Sequence, residues 1–184
     1  MNSKPSTTAP QATARLVVTM PPEPSRLSKE LSRDIASQYV SLTPTRHAFI
    51  HLARRAVDRF TIMVPFMDRE GAEWACELFS ASTATERTLI LREEASLDGI
   101  KKNLRERLLG SVTTLACYGS PSLEDETFHA KIVLADGVAA YVGSANMLRR
   151  SMDVNFECGF LVEGPAVEGV RMLVEAVLRI ADQS

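Results

Sequence analysis

FHAKIVLADGVAAYVGSANMLRRSMDVNFE, running from Phe128 to Glu157, is the stretch from which the rest of the chain can be read. Within it, Ala135-Asp136-Gly137-Val138 sets Asp-Gly between two apolar runs, the strongest short-range signal for a hairpin with a two-residue turn. With Asp136 and Gly137 as that turn, His129 stands opposite Ser144. Period-two alternation then puts Lys131 on the face of His129 and Asn146 on the face of Ser144. Four polar side chains share one side of a sheet. On the following strand, Asn155, Glu157 and Gly159 alternate with Phe156, Cys158 and Phe160, which separates an expected polar face from an expected apolar one.

Outward from the hairpin, short apolar runs alternate with helical periodicities. Strands are expected over Arg15–Met20, Phe60–Phe66, Thr88–Leu91, Val112–Tyr118 and Cys158–Val162. Helices are expected over Ser25–Tyr39, from Thr43-Pro44-Thr45 to Asp58, from Glu70 to Ser82, over Leu97–Leu109 and over Val167–Ala181. This order predicts an α/β domain with a mixed, mostly parallel β-sheet and helices on both faces. Residues 1–44 read as an N-terminal extension whose first 14 residues, rich in Ser, Thr, Ala and Pro, form a mobile tail, and residues 45–184 read as the catalytic domain. Arg46, Arg54, Arg55 and Arg59 are expected to form the solvated basic face of the helix after Thr43. His47 and His51 are one turn apart but lack an intervening glutamate or a third ligand, so no metal is expected there.

The chain's 184 residues, 45% of them hydrophobic, can bury one core. A net charge of -2 gives no global signature of a polyanion binder, so an anionic substrate must be drawn by a local patch. Cys76, Cys117 and Cys158 are odd in number and widely spaced, which reads as buried thiols in a reducing compartment. Neither a secretory signal nor an apolar run approaching a membrane span is visible, and the expected location is the cytoplasm.

The residue types in the hairpin suit one chemistry. A phosphodiester is an anion that repels nucleophiles, and attack adds negative charge to its non-bridging oxygens, so positioned cations and donors are needed. Lys131, Asn146 and Ser144 can supply them. A neutral His129 imidazole can attack phosphorus, and a carboxylate on its other ring nitrogen would fix the tautomer; Glu157 is the candidate.

The spacing HxKxxxxDxxxxxxGSxN, from His129 through Lys131, Asp136, Gly143 and Ser144 to Asn146, resembles the signature of the phospholipase D superfamily, and Ser151, Asn155 and Glu157 resemble its second element. The resemblance implies that His129 is the nucleophile, that Lys131 and Asn146 grip the phosphate with help from Ser144, and that Glu157 supports the histidine. Asp136 counts in the signature, although its turn position is a sufficient structural reason for it. Gly143 admits two explanations, close backbone approach to the phosphate or a bulge. The family's reaction uses two histidines, nucleophile and general acid, whereas this chain has one copy of the motif. The resemblance therefore implies a homodimer with both His129 side chains in one cleft, and no metal or cofactor.

Arg149 and Arg150 are candidates for holding flanking phosphates, while Glu124, Asp125 and Glu126 would repel a polyanion unless turned away. A nuclease, with DNA favoured over RNA and no membrane partner, is the expected activity. The alternatives are a phospholipase or phosphatidyl transferase, and a non-catalytic DNA-binding auxiliary domain. The opening LVVTMPP also resembles phospholipase D-like proteins of bacterial antiphage systems such as DISARM, which implies defence-system partner proteins.

Overall fold

The computed structural model describes residues 11–27, 29–30, 42–119 and 127–183. Most of the expected N-terminal tail, the greater part of the helix expected over Ser25–Tyr39, and Glu124, Asp125 and Glu126 lie outside the described residues. The strands are β1 (Thr13–Thr19), β2 (Thr43–Pro44), β3 (Arg59–Met63), β4 (Glu86–Leu91), β5 (Thr114–Cys117), β6 (Lys131–Ala135), β7 (Ala139–Gly143), β8 (Glu157–Glu163) and β9 (Asp182–Gln183). The helices are α1 (Thr45–Arg55), α2 (Arg69–Ala81), α3 (Lys102–Ser111), α4 (Arg149–Asp153) and α5 (Val167–Ile180).

Among the described residues these strands form one nine-stranded sheet in the order β2-β1-β8-β7-β6-β3-β4-β5-β9. The expected α/β class and mixed sheet are found, but the sheet is not mostly parallel. Three neighbouring pairs are parallel, β1/β2, β3/β4 and β4/β5, and the other five are antiparallel. The connections explain the difference. Helical crossovers through α2 and α3 return the chain to the same end of the sheet and give parallel neighbours, whereas the tight Asp136–Val138 turn can join only antiparallel ones. β1, from the stretch read as an extension, is an internal strand between β2 and β8.

Alternation along the strands divides the core in two. Phe60, Ile62, Leu89, Leu91, Val133, Ala135 and Tyr141 face one side, where they are covered by α1, α2 and α3 through Phe49, Leu52, Ala72, Trp74, Leu104 and Leu108. Met63, Ile90, Ile132, Leu134 and Ala140 face the other side, under Val167 and Val174 of α5. The helix expected over Leu97–Leu109 is divided: a 3-10 turn covers Glu94–Leu97, and α3 starts only at Lys102, after Lys101 adopts an extended ψ of 139°. Its inward residues Leu97, Ile100, Leu104 and Leu108 are nonetheless all buried. Arg59 belongs to β3, where it pairs with Glu86 and Glu175, and so leaves the basic face expected for α1.

The faces of β8 are exchanged relative to expectation. Gly159 and Leu161 turn into the α1 side, while Phe156 and Phe160 are each 50% exposed. The physical reason is that α1 covers this strand from one side and the Tyr141 ring occupies the space over Gly159, whereas on the opposite side Val142, paired with Phe160, is also left exposed. Of the cysteines, all free, Cys76 is buried and Cys117 and Cys158 are half-buried. Among the described residues no helix is long and apolar enough to cross a membrane.

Candidate active site

Because β6 runs antiparallel to β3 and β7, the N-terminal end of β6, the C-terminal end of β7 and the N-terminal end of β8 meet at the carboxyl edge of the parallel strands. This is the edge of an α/β sheet at which ligands are usually bound. His129 just precedes β6, Lys131 opens it, Ser144, Ala145 and Asn146 follow β7, and Glu157 opens β8.

The hairpin register is one residue away from the expected one. Lys131 pairs with Gly143 and Ala135 with Ala139, so Val138 joins Asp136 and Gly137 in a three-residue connection. The Val138 amide donates to Ala135 O at 3.0 Å, and the φ angles of Asp136 and Gly137 are 51° and 69°, as a primed turn requires. Ser144 therefore does not face His129 by simple alternation. It reaches the site because the chain bends away from β7 after Gly143.

Lys131 is 3% exposed. Its Nζ donates to the His129 carbonyl at 2.6 Å and lies 2.8 Å from Nδ1 and 3.0 Å from Nε2 of the same residue. Both ring nitrogens are thus within hydrogen-bonding distance of the ammonium, and the imidazole itself is exposed. Phe66 approaches the ring edge to face at 6.1 Å between centroids. Burial lowers the Lys131 pKa, and the negative charge of Glu157 partly restores it.

Glu157, 7% exposed, is on the same side of the sheet as Lys131. Its Oε2 accepts from Ser144 Oγ at 2.5 Å and its Oε1 from Asn155 Nδ2 at 3.5 Å; Ser144 Oγ in turn accepts from the Cys158 amide at 3.0 Å. The expected hydrogen bond from His129 to Glu157 is not formed. Glu157 acts on this pair through the field at Lys131, because Ser144 and Asn155 already hold its carboxylate oxygens. Asn146 brings a carboxamide whose Oδ1 is buried without a hydrogen-bond partner, so no protein donor fixes the orientation of that amide. Ser151 is 1% exposed and packs beneath the rim.

Asp136 lies elsewhere. It is at the opposite end of β6 from Lys131, and its carboxylate accepts from the amides of Val57, Asp58 and Arg59 at 2.8, 2.9 and 2.7 Å. The structure thus takes Asp136 out of the set of residues that could touch a substrate and gives it the α1–β3 connection to hold. Gly143 also has a packing reason. A Cβ there would collide with the Tyr141 hydroxyl, and one at Gly159, its partner across the strands, would come within 2.6 Å of the Tyr141 ring. Arg149 and Arg150 open α4 at the rim, exposed and without carboxylate partners among the described residues.

Two residues that organise the site were not singled out from the sequence. Tyr141 is fully buried, packs edge to face on Phe49 at 4.8 Å, and accepts the Ala145 amide hydrogen at 3.2 Å. Its pKa is pushed up to about 12, first by burial and also by the charge of Glu157, with the Ala145 hydrogen bond opposing. Asp68 caps α2 by accepting from Gly71 N at 2.8 Å, and its other oxygen accepts from Arg149 N at 2.9 Å. The Asp68 amide donates to Met147 O at 3.1 Å, so the loop after β7 is fastened to the loop after β3. The Asp-x-x-Gly spacing ahead of an apolar periodicity was a visible capping signal; the reach to Arg149 was not.

The sequence matches the family described as "Cardiolipin synthase, PLD-like domain" over residues 32–171. Among solved structures, the phospholipase D family member Nuc from Salmonella typhimurium is similar with a TM-score of 0.61 and 12% identity, covering 95% of this chain and 99% of that one. NucT from Helicobacter pylori is similar with a TM-score of 0.55 and 12% identity, covering 93% and 98% respectively. Phosphatidylserine synthase from Haemophilus influenzae Rd KW20, also 12% identical with a TM-score of 0.55, is covered over 40% of its length by 94% of this chain. No curated protein matches the sequence.

Proposed function

The chain belongs to the phospholipase D superfamily, and on that premise we propose that it is a metal-independent phosphodiesterase acting as an endonuclease on DNA through a covalent phosphohistidine. The observation that carries this reading is a buried ammonium within 3.0 Å of both ring nitrogens of an exposed imidazole. Lys131 supplies charge where the non-bridging phosphoryl oxygens would lie, and Asn146 has an amide free to turn a donor to the same oxygens.

In the first step a ring nitrogen of His129 attacks phosphorus as the bond to the leaving oxygen breaks, and that oxygen takes a proton from a second imidazolium. In the second step the same imidazole, now neutral, takes a proton from water, whose oxygen displaces His129 and restores the starting state. One chain has one such histidine, so the second is the His129 of another copy in a two-fold dimer. Glu157 holds the positive charge of the site in place through Lys131.

A lipid phosphodiester is the second reading, and one observation favours it. Phe160 and Val142 of the sheet and Met172, Leu173 and Ile180 of α5 are exposed apolar side chains on the side opposite α1. Such a surface suits a bilayer or a second copy of the chain. Cleavage of single-stranded DNA, double-stranded DNA, RNA and phosphatidylcholine in excess EDTA, wild type against His129→Ala, separates the readings. Nucleic-acid cleavage that survives EDTA and is lost in the variant is expected, and lipid turnover alone would overturn it. A wild type that binds DNA as a dimer and turns over nothing would point to an auxiliary role beside defence-system proteins.

A further inference from the structure

α1 carries Arg46, His47, His51, Arg54 and Arg55 and no carboxylate, whereas α2 contains Glu70, Glu73 and Glu77 and α3 contains Glu106. A helix face that is merely solvated ordinarily mixes both signs. Here all five basic side chains are exposed, in a chain whose net charge is -2. His47, Ile50, His51, Arg54 and Arg55 line a shallow groove along the helix. Arg15 of β1 joins them from the same side of the sheet, because Arg15 and Arg55 both reach Glu163, at 3.2 and 2.7 Å. The carboxylates paired with this surface are Glu163 and Asp153, against the four arginines. Among the described residues, Arg54 and His47 have no ion-pair or hydrogen-bond partner.

The position of this face relative to the site gives it a direction. α1 lies on the same side of the sheet as Lys131 and Glu157. Its first residue, Thr45, accepts from Thr19 Oγ1 at 2.8 Å, and Thr19 pairs with Glu157 across β1 and β8. The basic face therefore starts beside the catalytic edge. There Arg46 is held between two partners, its guanidinium 5.3 Å over the Trp74 ring and 3.3 Å from Asp153 of α4. From Arg46 to Arg54 the helix rises about 12 Å.

We propose that the exposed face of α1, with Arg15, is a binding track for the phosphate backbone of a nucleic-acid strand whose scissile phosphate lies at the His129 edge. The proposal rests on the nuclease reading and adds to it where the flanking strand runs. A groove with Arg54 and Arg55 at one end, and with Arg46 and Arg15 outside it on the same surface, offers several cations to a chain of phosphates, to which each arginine contributes charge irrespective of base sequence. It also accounts for how an acidic protein can hold a polyanion, through a local field and not its net charge.

The test is fluorescence anisotropy of labelled single-stranded and duplex DNA across a salt series, for wild type, Arg54→Glu, and the Arg46→Ala/Arg54→Ala double variant. Lys102→Glu, a side chain 90% exposed on α3, is the control for net charge. Arg54→Glu breaks no ion pair or hydrogen bond among the described residues, but it puts a carboxylate in the last turn of α1, so a thermal melt of the variant distinguishes lost binding from a folding defect. Arg54→Glu is expected to weaken binding at least about tenfold, and the double variant to reduce the salt slope by about one to two. Turnover of bis(p-nitrophenyl) phosphate should be unchanged in Lys102→Glu. Unchanged DNA affinity in Arg54→Glu, or an equal loss in Lys102→Glu, would overturn the track. Wild type that hydrolyses the small diester but binds no DNA would overturn it too and leave phosphodiesterase activity standing. Binding that depends on Arg54 without any DNA cleavage would retain the track and remove the nuclease reading. Arg54-dependent binding of phosphatidylglycerol vesicles in place of DNA would reassign the face to lipid.

Discussion

The Tyr141 hydroxyl accepts the backbone hydrogen of Ala145 at 3.2 Å, from beneath the loop that carries Ser144 and Asn146. The loop's height above the sheet is set by a phenol, and Gly143 and Gly159 leave room for its ring. Removing the hydroxyl leaves a buried amide unpaired. Tyr141→Phe should lower unfolding free energy by about 1–3 kcal/mol in urea titrations. It should also reduce kcat for any diester substrate, because the loop loses its support. Unchanged stability with unchanged kcat would show that Tyr141 is only filling space.

Asp136 is the converse case, a motif residue whose work is done far from the chemistry. Asp136→Ala frees three backbone amides at the start of β3 and should cost roughly 2–3 kcal/mol of stability. At a temperature where the variant is folded, its kcat should be near wild type. A kcat collapse without a stability change would return Asp136 to the reaction.

The Lys131 pKa is lowered by burial and raised again by Glu157. If the ammonium is the form that stabilises the phosphoryl oxygens, activity falls as pH rises through that pKa. Glu157→Gln removes the restoring charge, so the alkaline limb of the pH–rate profile should move to lower pH. Ser144→Ala leaves the carboxylate in place and should shift that limb less. A Glu157→Gln profile that keeps its alkaline limb where it was would separate Glu157 from Lys131.

Glu163 gives a stability signature at acid pH. Burial by itself raises its pKa, but the His51 hydrogen bond and the charges of Arg55 and Arg15 outweigh it, and the net pKa lies below the ordinary 4.5. Its folded pKa is thus below its unfolded one, so the stabilisation is present above about pH 4.5 and is lost as pH falls through the folded value. Wild type should lose more stability than Glu163→Gln between about pH 6 and about pH 3. Parallel losses in the two proteins would mean that the cluster contributes nothing, as exposed pairs often do.

Much of this was legible in the sequence where the signal is local. The spacing of His129, Lys131, Ser144 and Asn146 marks two adjoining strand ends, and the Asp-Gly pair marks the turn between them. The register was missed by one because Val138 has the β-branched character of a strand residue, yet its carbonyl accepts from Gly164 N outside the β6–β7 ladder. Strand direction was missed because apolar runs look alike in parallel and antiparallel ladders, and only the connections decide. Tyr141 and Asp68 look like a core aromatic and a helix cap. Their wider roles depend on residues brought close by folding, Gly159 and Arg149. The Glu157 assignment to His129 was drawn from chemistry alone, which does not include the competing hydroxyl of Ser144.

Asp68 ties the timescales of two unlike segments together. Arg149 begins a five-residue helix on the rim, a place where amide hydrogens would ordinarily exchange with solvent almost freely. Its amide is held by the same carboxylate that caps α2, a helix with buried residues along most of its length. The cap and the rim bond use opposite oxygens of that carboxylate, so a rotation of the Asp68 side chain disturbs both. Slow exchange at the Arg149 amide is therefore expected to report how well Asp68 is held at the start of α2.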